Sequence, residues 1–512
     1  MQSFVCPLLV ALLLGARSAK AVPTQETTQA CADITDALPG KVLTPALLGL
    51  EYANETQKYW STALREVDPA CIVRPVCAED VATVVKSLNK YPTVQFAVKS
   101  GGHDPNVGHA SVQDGVLIVM TDLAGATYDA AEEVAHVKPG GEWNDVIRDL
   151  EPSGVTIAGG RLGVVGVGGY LVQGGISFLS AQVGLAADTN KKQNIIGWET
   201  VMANGSIVNV NATTQPDIAQ AMRGSGSQFG IVTKYTVQTH AIGDVWGGFC
   251  IYDASQEDKL YAALHTFVAD GAQDPKAAII FTNLIATGGA KTDVVYYFYD
   301  GPTPPTSGPF ANFLTIPALQ CLPRTQKYSE LLRANGEPIH LSNARQSFRT
   351  YTLPYIATRP QLYAEIRDKF IQISVPFLTA ERPTSQYSVD FQPLPSVIGR
   401  ISQSKGGNAM GLTVSDPDRV ILEVQGSWAL ASDDTVGHSL SKQLIEWLDV
   451  QVPLWLDEAG LSRDVYLPFF MNDAAGDQEV TKSYRDYEKF KALQKSVDPN
   501  GLFSVRAGGF KY

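Results

Sequence analysis

The sequence predicts an α+β protein in which a glycine-rich first part precedes a second part built on a large antiparallel sheet covered by helices. Three observations lead to this fold class. Short apolar runs alternate with amphipathic stretches up to about residue 240, two glycine-dense stretches interrupt that part, and long alternating strands dominate the sequence after it. With 512 residues, 45% of them hydrophobic, the chain can build two or three domains with large cores.

The first part reads as an arm followed by short strands and helices. Residues 22–67 hold helical stretches without strong motifs and are predicted to lie against the next domain. A strand at 72–75, a helix at 81–88 with an acidic first turn, and a strand at 94–98 predict a βαβ unit. Further strands are predicted at 115–120, 135–137, 195–202 and 207–211, and a helix at 142–150; Asn204-Gly205 signals a hairpin between the last two strands.

The two glycine-dense stretches point to a cofactor. Lys99-Ser100-Gly101-Gly102-His103-Asp104 follows a predicted strand, and a second stretch runs from Gly159 to Gly175. Glycine lets the backbone come close to a bulky group, and successive exposed N–H groups form a concavity that binds anions. Two such loops around one histidine predict a nucleotide cofactor.

The second part, from about residue 241 to 463, has a different pattern of predicted secondary structure. Its long strands and its amphipathic runs predict a wide antiparallel sheet with helices on one face, which leaves the other face open to a ligand. The strands include 294–299, 387–391 and 420–424, and the helical runs are 255–269, 359–374 and 436–449. A last helix is predicted from Lys482 to Ser496.

Composition and the N-terminal segment indicate which partners and which compartment the protein has. A formal net charge of −12 without a basic stripe excludes a nucleic-acid partner, and no later stretch is apolar and long enough to predict a membrane span. Residues 1–21 contain a short apolar core and end in Ala19-Lys20-Ala21, which predicts a cleaved signal and a secreted protein. Glycosylation sequons occur at Asn54, Asn204 and Asn211, although chance also produces such triplets.

Five cysteines remain after the signal, so at least one thiol stays unpaired in an oxidising compartment. The unpaired cysteine is either a buried free thiol or a residue that contacts the cofactor. We predict one disulfide bond, between Cys31 and Cys71.

Several common functional motifs are absent from the sequence or incomplete in it. Gly166-Val167-Gly168-Gly169-Tyr170-Leu171 has leucine where the dinucleotide fingerprint needs its last glycine. The sequence has no Walker A loop, His-Glu-x-x-His or Gly-x-Ser-x-Gly, which removes nucleotide triphosphatase, zinc protease and serine hydrolase as default functions. The seven histidines are scattered, so we expect no metal site.

Four motifs together resemble a known family. They are Val98–His103, Lys138–Gly141 followed by Trp143, Val165–Gly169, and Phe229–Thr233. Their order and spacing resemble the PCMH-type flavin domain of the vanillyl-alcohol oxidase superfamily. Within it, the chain resembles the berberine-bridge-like FAD-linked oxidases of fungi. The resemblance implies a two-lobed PCMH-type FAD-binding domain at 68–240, a substrate-binding domain at 241–465, and a C-terminal berberine-bridge-like segment at 466–512 that returns to the FAD domain.

The resemblance also implies how FAD is held. Residues 99–103 would surround its pyrophosphate, His103 would be bonded through its ring to the flavin 8α carbon, and the N–H groups of Gly166, Gly168 and Gly169 would face the pyrimidine edge. The alternative for His103 is a loop histidine satisfied by hydrogen bonds. The implied cofactor-binding residues are His103, Lys99, Ser100, Gly101, Gly102, Gly108, Pro139, Gly140, Gly160, Val165, Gly166, Gly168, Gly169, Gly174, Gly175, Ile231, Val232 and Asn472.

The sequence departs from the family in two places. Relatives with a doubly linked flavin carry a cysteine shortly before the Val-Gly-Val-Gly-Gly run, where this chain has Leu162-Gly163-Val164, so a single histidyl linkage is predicted. Many relatives use a tyrosine base in an Asn-Tyr pair, but this chain has Asn472-Asp473. The remaining candidates for a catalytic base are Asp473, Tyr466 and Asp390.

These observations favour a secreted FAD-dependent oxidase. It would take hydride from a small organic substrate of secondary-metabolite type to flavin N5 and pass the electrons to O2, releasing H2O2. A carbohydrate oxidase is the alternative within the same chemistry, weakened because such relatives typically carry the double linkage and the tyrosine base. A flavin-bearing cyclase without net redox and a binding protein that has lost flavin are alternatives from other classes.

Overall fold

The computed structural model describes residues 23–45, 49–190, 193–340 and 343–512. The predicted signal, residues 1–21, lies outside these ranges. The helices are α1 Gln25–Ala37, α2 Leu50–Gln57, α3 Ala78–Leu88, α4 Trp143–Leu150, α5 Val167–Val172, α6 Ser180–Val183, α7 Pro216–Ala221, α8 Glu257–Asp270, α9 Tyr328–His340, α10 Leu362–Ser374, α11 Ser396–Ser404, α12 Asp434–Glu458, α13 Tyr487–Val497 and α14 Leu502–Val505.

The strands are β1 Val42–Leu43, β2 Cys71–Val73, β3 Phe96–Lys99, β4 Val116–Val119, β5 Ala126–Asp129, β6 Val134–Val137, β7 Val155–Thr156, β8 Thr189–Asn190, β9 Gln193–Val201, β10 Ile207–Val210, β11 Ile231–Gln238, β12 His240–Ala241, β13 Val245–Tyr252, β14 Ala277–Ala286, β15 Ala290–Tyr299, β16 Gln320–Cys321, β17 Arg324–Gln326, β18 Arg345–Pro354, β19 Gln386–Leu394 and β20 Arg419–Trp428. They form two small sheets in the first part of the chain, a two-stranded β12-β7 pair, and one large sheet in the second part.

The first small sheet has the strand order β1-β2-β4-β3. The predicted unit of β2, α3 and β3 is present, but both strands run parallel to β4, which lies between them. Helix α3 packs its valines, including Val81 and Val85, into the core beneath this sheet. The Cys31–Cys71 disulfide, with an S–S distance of 2.01 Å, joins α1 to β2 and so ties the N-terminal arm to the sheet.

The second small sheet has the order β10-β9-β11-β6-β5 and is antiparallel. The hairpin predicted at Asn204-Gly205 joins β9 and β10, with Ile207 opposite Val201. Gly205 has φ +77°, which is the backbone conformation that such a tight turn needs. Trp143 of α4 and Trp198 of β9 are buried in the core behind this sheet.

The large sheet follows the order β16-β13-β15-β14-β19-β20-β18, and every pairing in it is antiparallel. Its strands alternate strictly. Phe281, Val295 and Val389 pack against α8, α10 and α12, whereas their neighbours Ile280, Val294 and Asp390 face a cavity. The prediction of a sheet covered on one face and open on the other is confirmed, because a period of two sends alternate side chains to opposite faces.

The C-terminal segment lies against the first lobe. Helix α13 begins at Tyr487 and not at Lys482, because Thr481–Ser483 form a separate 3-10 turn before it. Leu502 and Phe503 of α14 are buried in the core beneath the first sheet. The following residues contribute to the wall of the cavity described below.

The three predicted glycosylation sequons differ in exposure. Asn54 and Asn204 are exposed, and Asn211 is half-buried at the end of β10.

The structure also pairs Cys250 with Cys321 on the neighbouring strands β13 and β16, a bond that the sequence did not predict. Cys77 is the free cysteine of the described residues, and it lies outside the cavity. Within those residues, no helix has the length and apolarity to cross a bilayer, and no cluster of metal-binding side chains occurs.

Candidate active site

A cavity of about 690 Å³ lies between the glycine-rich loops and the open face of the large sheet. One wall is backbone-rich and comes from the loop after β3 and from residues 160–169. The opposite wall consists of side chains from β13, β14, β15, β19 and β20. Segments at residues 470–473 and 509–510 close the remaining sides.

His103 lies at the junction of the two walls. The loop reaches it through Gly102, whose φ of +72° suits glycine. Its ring stacks on the indole of Trp60, with ring centroids 4.3 Å apart and planes 12° apart. Burial lowers the pKa of the imidazole to about 4, against the opposing effect of Asp104. His103 is therefore neutral at ordinary pH, with a ring nitrogen lone pair available.

The backbone-rich wall depends on contact between two glycines. A Cβ added at Gly101 would lie 2.5 Å from the Gly166 Cα, and one added at Gly166 would lie 2.4 Å from the Gly101 N. Ser100 fastens the same two segments, because its Oγ donates to the Pro139 carbonyl at 2.5 Å and accepts from the Gly168 N–H at 3.1 Å. The two loops thus form one surface without side chains on which a large planar or anionic group can lie.

The Gly168 N–H has partners within the protein, although Gly168 lines the cavity. This group donates to the Pro139 carbonyl at 3.1 Å as well as to the Ser100 Oγ, so it is used inside the protein. A Cβ added at Gly169 would meet no atom within 4 Å, so this residue borders open space. Of the implied cofactor-binding residues, those that line the cavity are Ser100, Gly101, Gly102, His103, Pro139, Gly160, Val165, Gly166, Gly168, Gly169, Ile231, Val232 and Asn472.

Five implied cofactor-binding residues do not line the cavity, and Lys99 is the clearest case. Its Nζ donates to the Glu55 carbonyl at 2.8 Å and lies over the Tyr59 ring. Burial lowers the pKa of this ammonium to about 8, against the attraction of Glu55. Lys99 points away from the cavity because strand alternation sends it to the other face, where it supports the loop from behind.

The other four are glycines with structural reasons of their own. A Cβ at Gly140 would lie 1.7 Å from the Met120 carbonyl oxygen, so glycine is needed for close packing there. Gly108 is exposed in a turn with φ +90°. Gly174 and Gly175 form a turn behind α5, where the Gly175 N–H donates to the Asn472 Oδ1 at 3.1 Å. These glycines shape the loops without facing the cavity.

The side-chain wall carries three carboxyl groups, two of which are hydrogen-bonded to one amide. The Nε2 of Gln392 donates to the Asp473 Oδ2 at 2.8 Å and to the Glu423 Oε2 at 3.3 Å. The Oε1 of Gln392 accepts from the guanidinium of Arg161. Asp390, two residues before Gln392 on β19, accepts from the Thr282 and Ser388 hydroxyls, the latter at 2.8 Å.

Burial sets the protonation of these carboxyl groups. It raises the pKa of Asp473 to about 6 and that of Asp390 to about 6, because an ionised carboxylate is poorly solvated there; Arg161 and the hydrogen bonds counteract part of the rise. The pKa of Glu423 is raised well above its usual value by burial and by the charges of Asp473 and Asp390. The cluster can therefore hold or accept a proton near neutral pH.

Tyr466 was a wrong candidate for the base. Its hydroxyl donates to the Met410 carbonyl at 2.5 Å, and the guanidinium of Arg485 lies 3.6 Å from its ring centroid. It does not line the cavity. The two carboxylate candidates, Asp473 and Asp390, are both brought to the cavity.

The residues of the site that were not predicted from the sequence include Trp60, Arg161, Phe348, Gln392 and Glu423. Strand period was a usable signal for two of them. Gln392 follows Asp390 by two residues and must share its face, and Glu423 is the polar residue within the predicted apolar strand 420–424. No local pattern marks Trp60 or Phe348.

The chemistry of the cavity fits a flavin dinucleotide. The surface formed by Gly101 and Gly166 admits a planar or anionic group, and a neutral imidazole borders it. In addition, the Trp60 Nε1–H is buried beside the cavity without a hydrogen-bond partner among the described residues, and such a donor calls for an acceptor.

Comparison with known proteins gives the family. The FAD binding domain family matches residues 69–211. A FAD-linked oxidoreductase of Arthroderma benhamiae is 35% identical over 470 residues, which cover 90% of this chain and 91% of that protein. A FAD-dependent monooxygenase of Aspergillus calidoustus is 28% identical over 498 residues, 95% of this chain and 91% of that one.

The fold is shared with the solved structure of BBE-like 1 from Physcomitrella patens, at 17% identity and a TM-score of 0.70, over 93% of this chain and 98% of that one. The mixed architecture with a large antiparallel sheet agrees with this neighbour. The protein therefore belongs to the family of FAD-linked oxidoreductases and is an enzyme that uses FAD.

Proposed function

We propose that the protein is an oxidase that takes hydride from a small organic substrate, in which FAD supplies the electron acceptor at N5 and O2 reoxidises it with release of H2O2. The observation that carries the proposal is the pair of carboxyl groups, Asp473 and Glu423, that the Gln392 amide holds on the wall opposite the glycine loops. Oxidation of an O–H or N–H substrate needs a group that removes that proton while hydride leaves the neighbouring carbon.

Asp473 is our candidate for this base. Its Oδ2 accepts from the Gln392 amide, which fixes the carboxylate in the cavity. Both oxygens of Asp390 accept hydrogen bonds from hydroxyls of the sheet, so Asp390 is already committed to the protein. Arg161, bonded to the other end of Gln392, holds the amide so that its Nε2 faces the carboxylates.

The substrate face of the cavity is divided. Phe249, Ile251, Leu284 and Val294 supply an apolar area, and amides such as Gln425 supply a polar one. A substrate with an apolar body and one or two hydroxyl or amine groups matches both areas, which supports a secondary metabolite over a sugar. A panel of hydroxylated aromatic compounds and of mono- and disaccharides tests this choice by H2O2 release.

Anaerobic mixing separates the oxidase from the cyclase. Loss of the oxidised flavin absorbance on adding substrate supports hydride removal, whereas product formed without that loss supports a cyclase. The monooxygenase name of the Aspergillus calidoustus relative suggests another outcome. Incorporation of ¹⁸O from ¹⁸O2 into the product, in place of stoichiometric H2O2, would favour it.

We also propose that FAD is bonded to His103 alone. The neutral ring nitrogen that this bond requires is supported by the lowered pKa of His103. None of the described cysteines lines the cavity, which supports a single linkage. Acid denaturation should leave yellow colour on the chain, with the added mass on the peptide that contains His103, and His103→Ala should release the colour.

Secretion is part of the same proposal. The predicted signal at residues 1–21, the two disulfides and the exposed Asn54 and Asn204 support an oxidising, glycosylating compartment. Expression in a fungal host should place the protein in the medium, with a mass that falls after treatment with a glycosidase. Retention in the cytosol would contradict this part.

A further inference from the structure

A short segment of the N-terminal arm joins the cofactor loop to the substrate sheet. We call residues 58–66 the clamp segment. On one side, the backbone N–H of Trp60 donates to the Gly102 carbonyl at 3.1 Å. On the other side, the Ser61 Oγ accepts from the Gln346 N–H at 3.0 Å and the Thr62 N–H donates to the Ala344 carbonyl at 2.9 Å.

An ion pair strengthens the sheet side of this junction. The buried guanidinium of Arg345, at the start of β18, lies 2.6 Å from the Glu66 Oε1 and also pairs with Asp434 of α12. The clamp segment is therefore held by the substrate domain at its far end and by the flavin loop at its near end. Its position depends on both.

The clamp segment fixes the imidazole of His103 through aromatic contacts. Trp60 stacks on this ring at 4.3 Å with planes 12° apart. Phe348 of β18 lies 5.1 Å from the Trp60 ring and 6.1 Å from the His103 ring. A side chain in contact with two rings from two different parts of the chain has few rotamers left, so its ring nitrogen is aimed in advance.

We propose that Trp60 and Phe348 are positioning residues that present His103 for covalent attachment of the flavin. The covalent bond then forms only after the N-terminal arm, the cofactor loop and the substrate sheet have assembled. This inference rests on the proposed His103 linkage. Formation of the bond between a His103 ring nitrogen and the flavin 8α carbon would break one C–H bond of that carbon and the N–H bond of the imidazole. The two protons and two electrons so released would be taken up by O2 through the flavin and leave as H2O2.

The test compares Trp60→Leu, which removes the stack, with Trp60→Phe, which keeps an aromatic face. Trp447→Leu is the matched control, because Trp447 is also half-buried but lies on α12, outside the cavity. Its ring centroid is 5.6 Å from that of Trp455. Each full-length protein is purified at a fixed time after induction. Total flavin is measured on the native protein, and covalent flavin on the acid precipitate and on the His103 peptide.

We expect Trp60→Leu to lower the ratio of covalent to total flavin about tenfold. This is the size of effect expected when one aromatic contact is lost and the His103 ring is no longer held in one orientation. Total flavin and the thermal midpoint should stay near the values of the control. Trp60→Phe should restore most of the ratio. Phe348→Leu tests the same contact from the sheet and should also lower the ratio, which keeps the test decisive if Trp60→Leu does not fold.

The outcomes are distinguishable from failure of the linkage itself. Absence of covalent flavin in the wild type would refute the His103 bond before any variant is considered. A wild type with covalent flavin at His103, together with an unchanged ratio in Trp60→Leu or in Phe348→Leu, would overturn the positioning role and leave the bond in place. A parallel fall of total and covalent flavin would assign these rings to general support and would also overturn it.

Discussion

At the scale of single residues, the proposed base makes a sharp prediction. Asp473→Asn keeps the hydrogen bond from Gln392 but cannot accept a proton, so kcat should fall about 10²–10⁴-fold, the usual contribution of a general base. Steady-state H2O2 release and anaerobic flavin reduction measure this. Asp293→Asn is the control, because Asp293 is a buried carboxyl with a raised pKa on the helix side of the same sheet. Equal losses in both variants would refute the assignment.

The pH dependence of catalysis should carry the signature of the same carboxyl. Burial raises the pKa of Asp473 to about 6, so the ionised base is present above that pH and is lost as the pH falls through it. kcat/KM should therefore decline on the acid side with an apparent pKa near 6, shared with Asp390, whose carboxyl titrates in the same range. Initial rates between about pH 4 and 8 test this, and an acid limb near the ordinary carboxyl pKa would contradict it.

The raised pKa also has a consequence for stability. A carboxyl whose pKa is higher in the folded state binds more protons there, so folding stability from this group is present at low pH and declines as the pH rises from about 4 to 6. Asp473→Asn removes a charge that is costly to bury at neutral pH. The thermal midpoint of this variant at pH 7 should be equal to or above that of the wild type, while activity is lost.

At the scale of elements, the contact between the two glycine loops should be intolerant of a methyl group. In Gly166→Ala the new Cβ would lie 2.4 Å from the Gly101 N, so the loops must separate at a cost of about 1–3 kcal/mol and flavin binding should weaken. Gly243→Ala is the control, since no atom lies within 4 Å of its Cβ position. Flavin content per chain and the thermal midpoint measure the effect, and wild-type values for Gly166→Ala would refute the close contact.

Sequence periodicity predicted the elements better than it predicted the site. Alternation in strands such as 294–299 is enough to place one face on a core, and the large sheet followed from it. The position of β4 between β2 and β3 did not follow, because strand order depends on pairing between distant segments. For the same reason Trp60 and Phe348, 288 positions apart in the chain, could not be assigned to one histidine before the fold was known.

At the scale of the whole molecule, the C-terminal segment connects core stability to the cavity. Arg506 is buried, and its guanidinium donates to the Leu88 and Val94 carbonyls, each at 2.9 Å. Three and four residues later, Gly509 and Phe510 form part of the cavity wall. A change at Arg506 should therefore affect both the first lobe and retention of the cofactor.

Arg506→Met tests this coupling. The substitution removes the guanidinium donor from both carbonyls, but the Leu88 carbonyl still accepts from the Tyr91 N–H at 3.1 Å. Loss of the donor to the Val94 carbonyl should cost about 1–3 kcal/mol, lower the thermal midpoint and speed the release of any flavin that is not covalently held. Arg463→Met is the control, because Arg463 is 60% exposed and pairs with Asp457 at the surface, where an ion pair contributes about 0–1 kcal/mol. Thermal unfolding and flavin fluorescence in the His103→Ala background measure both effects. A lower midpoint with unchanged flavin release would show that the tail supports the first lobe without shaping the cavity.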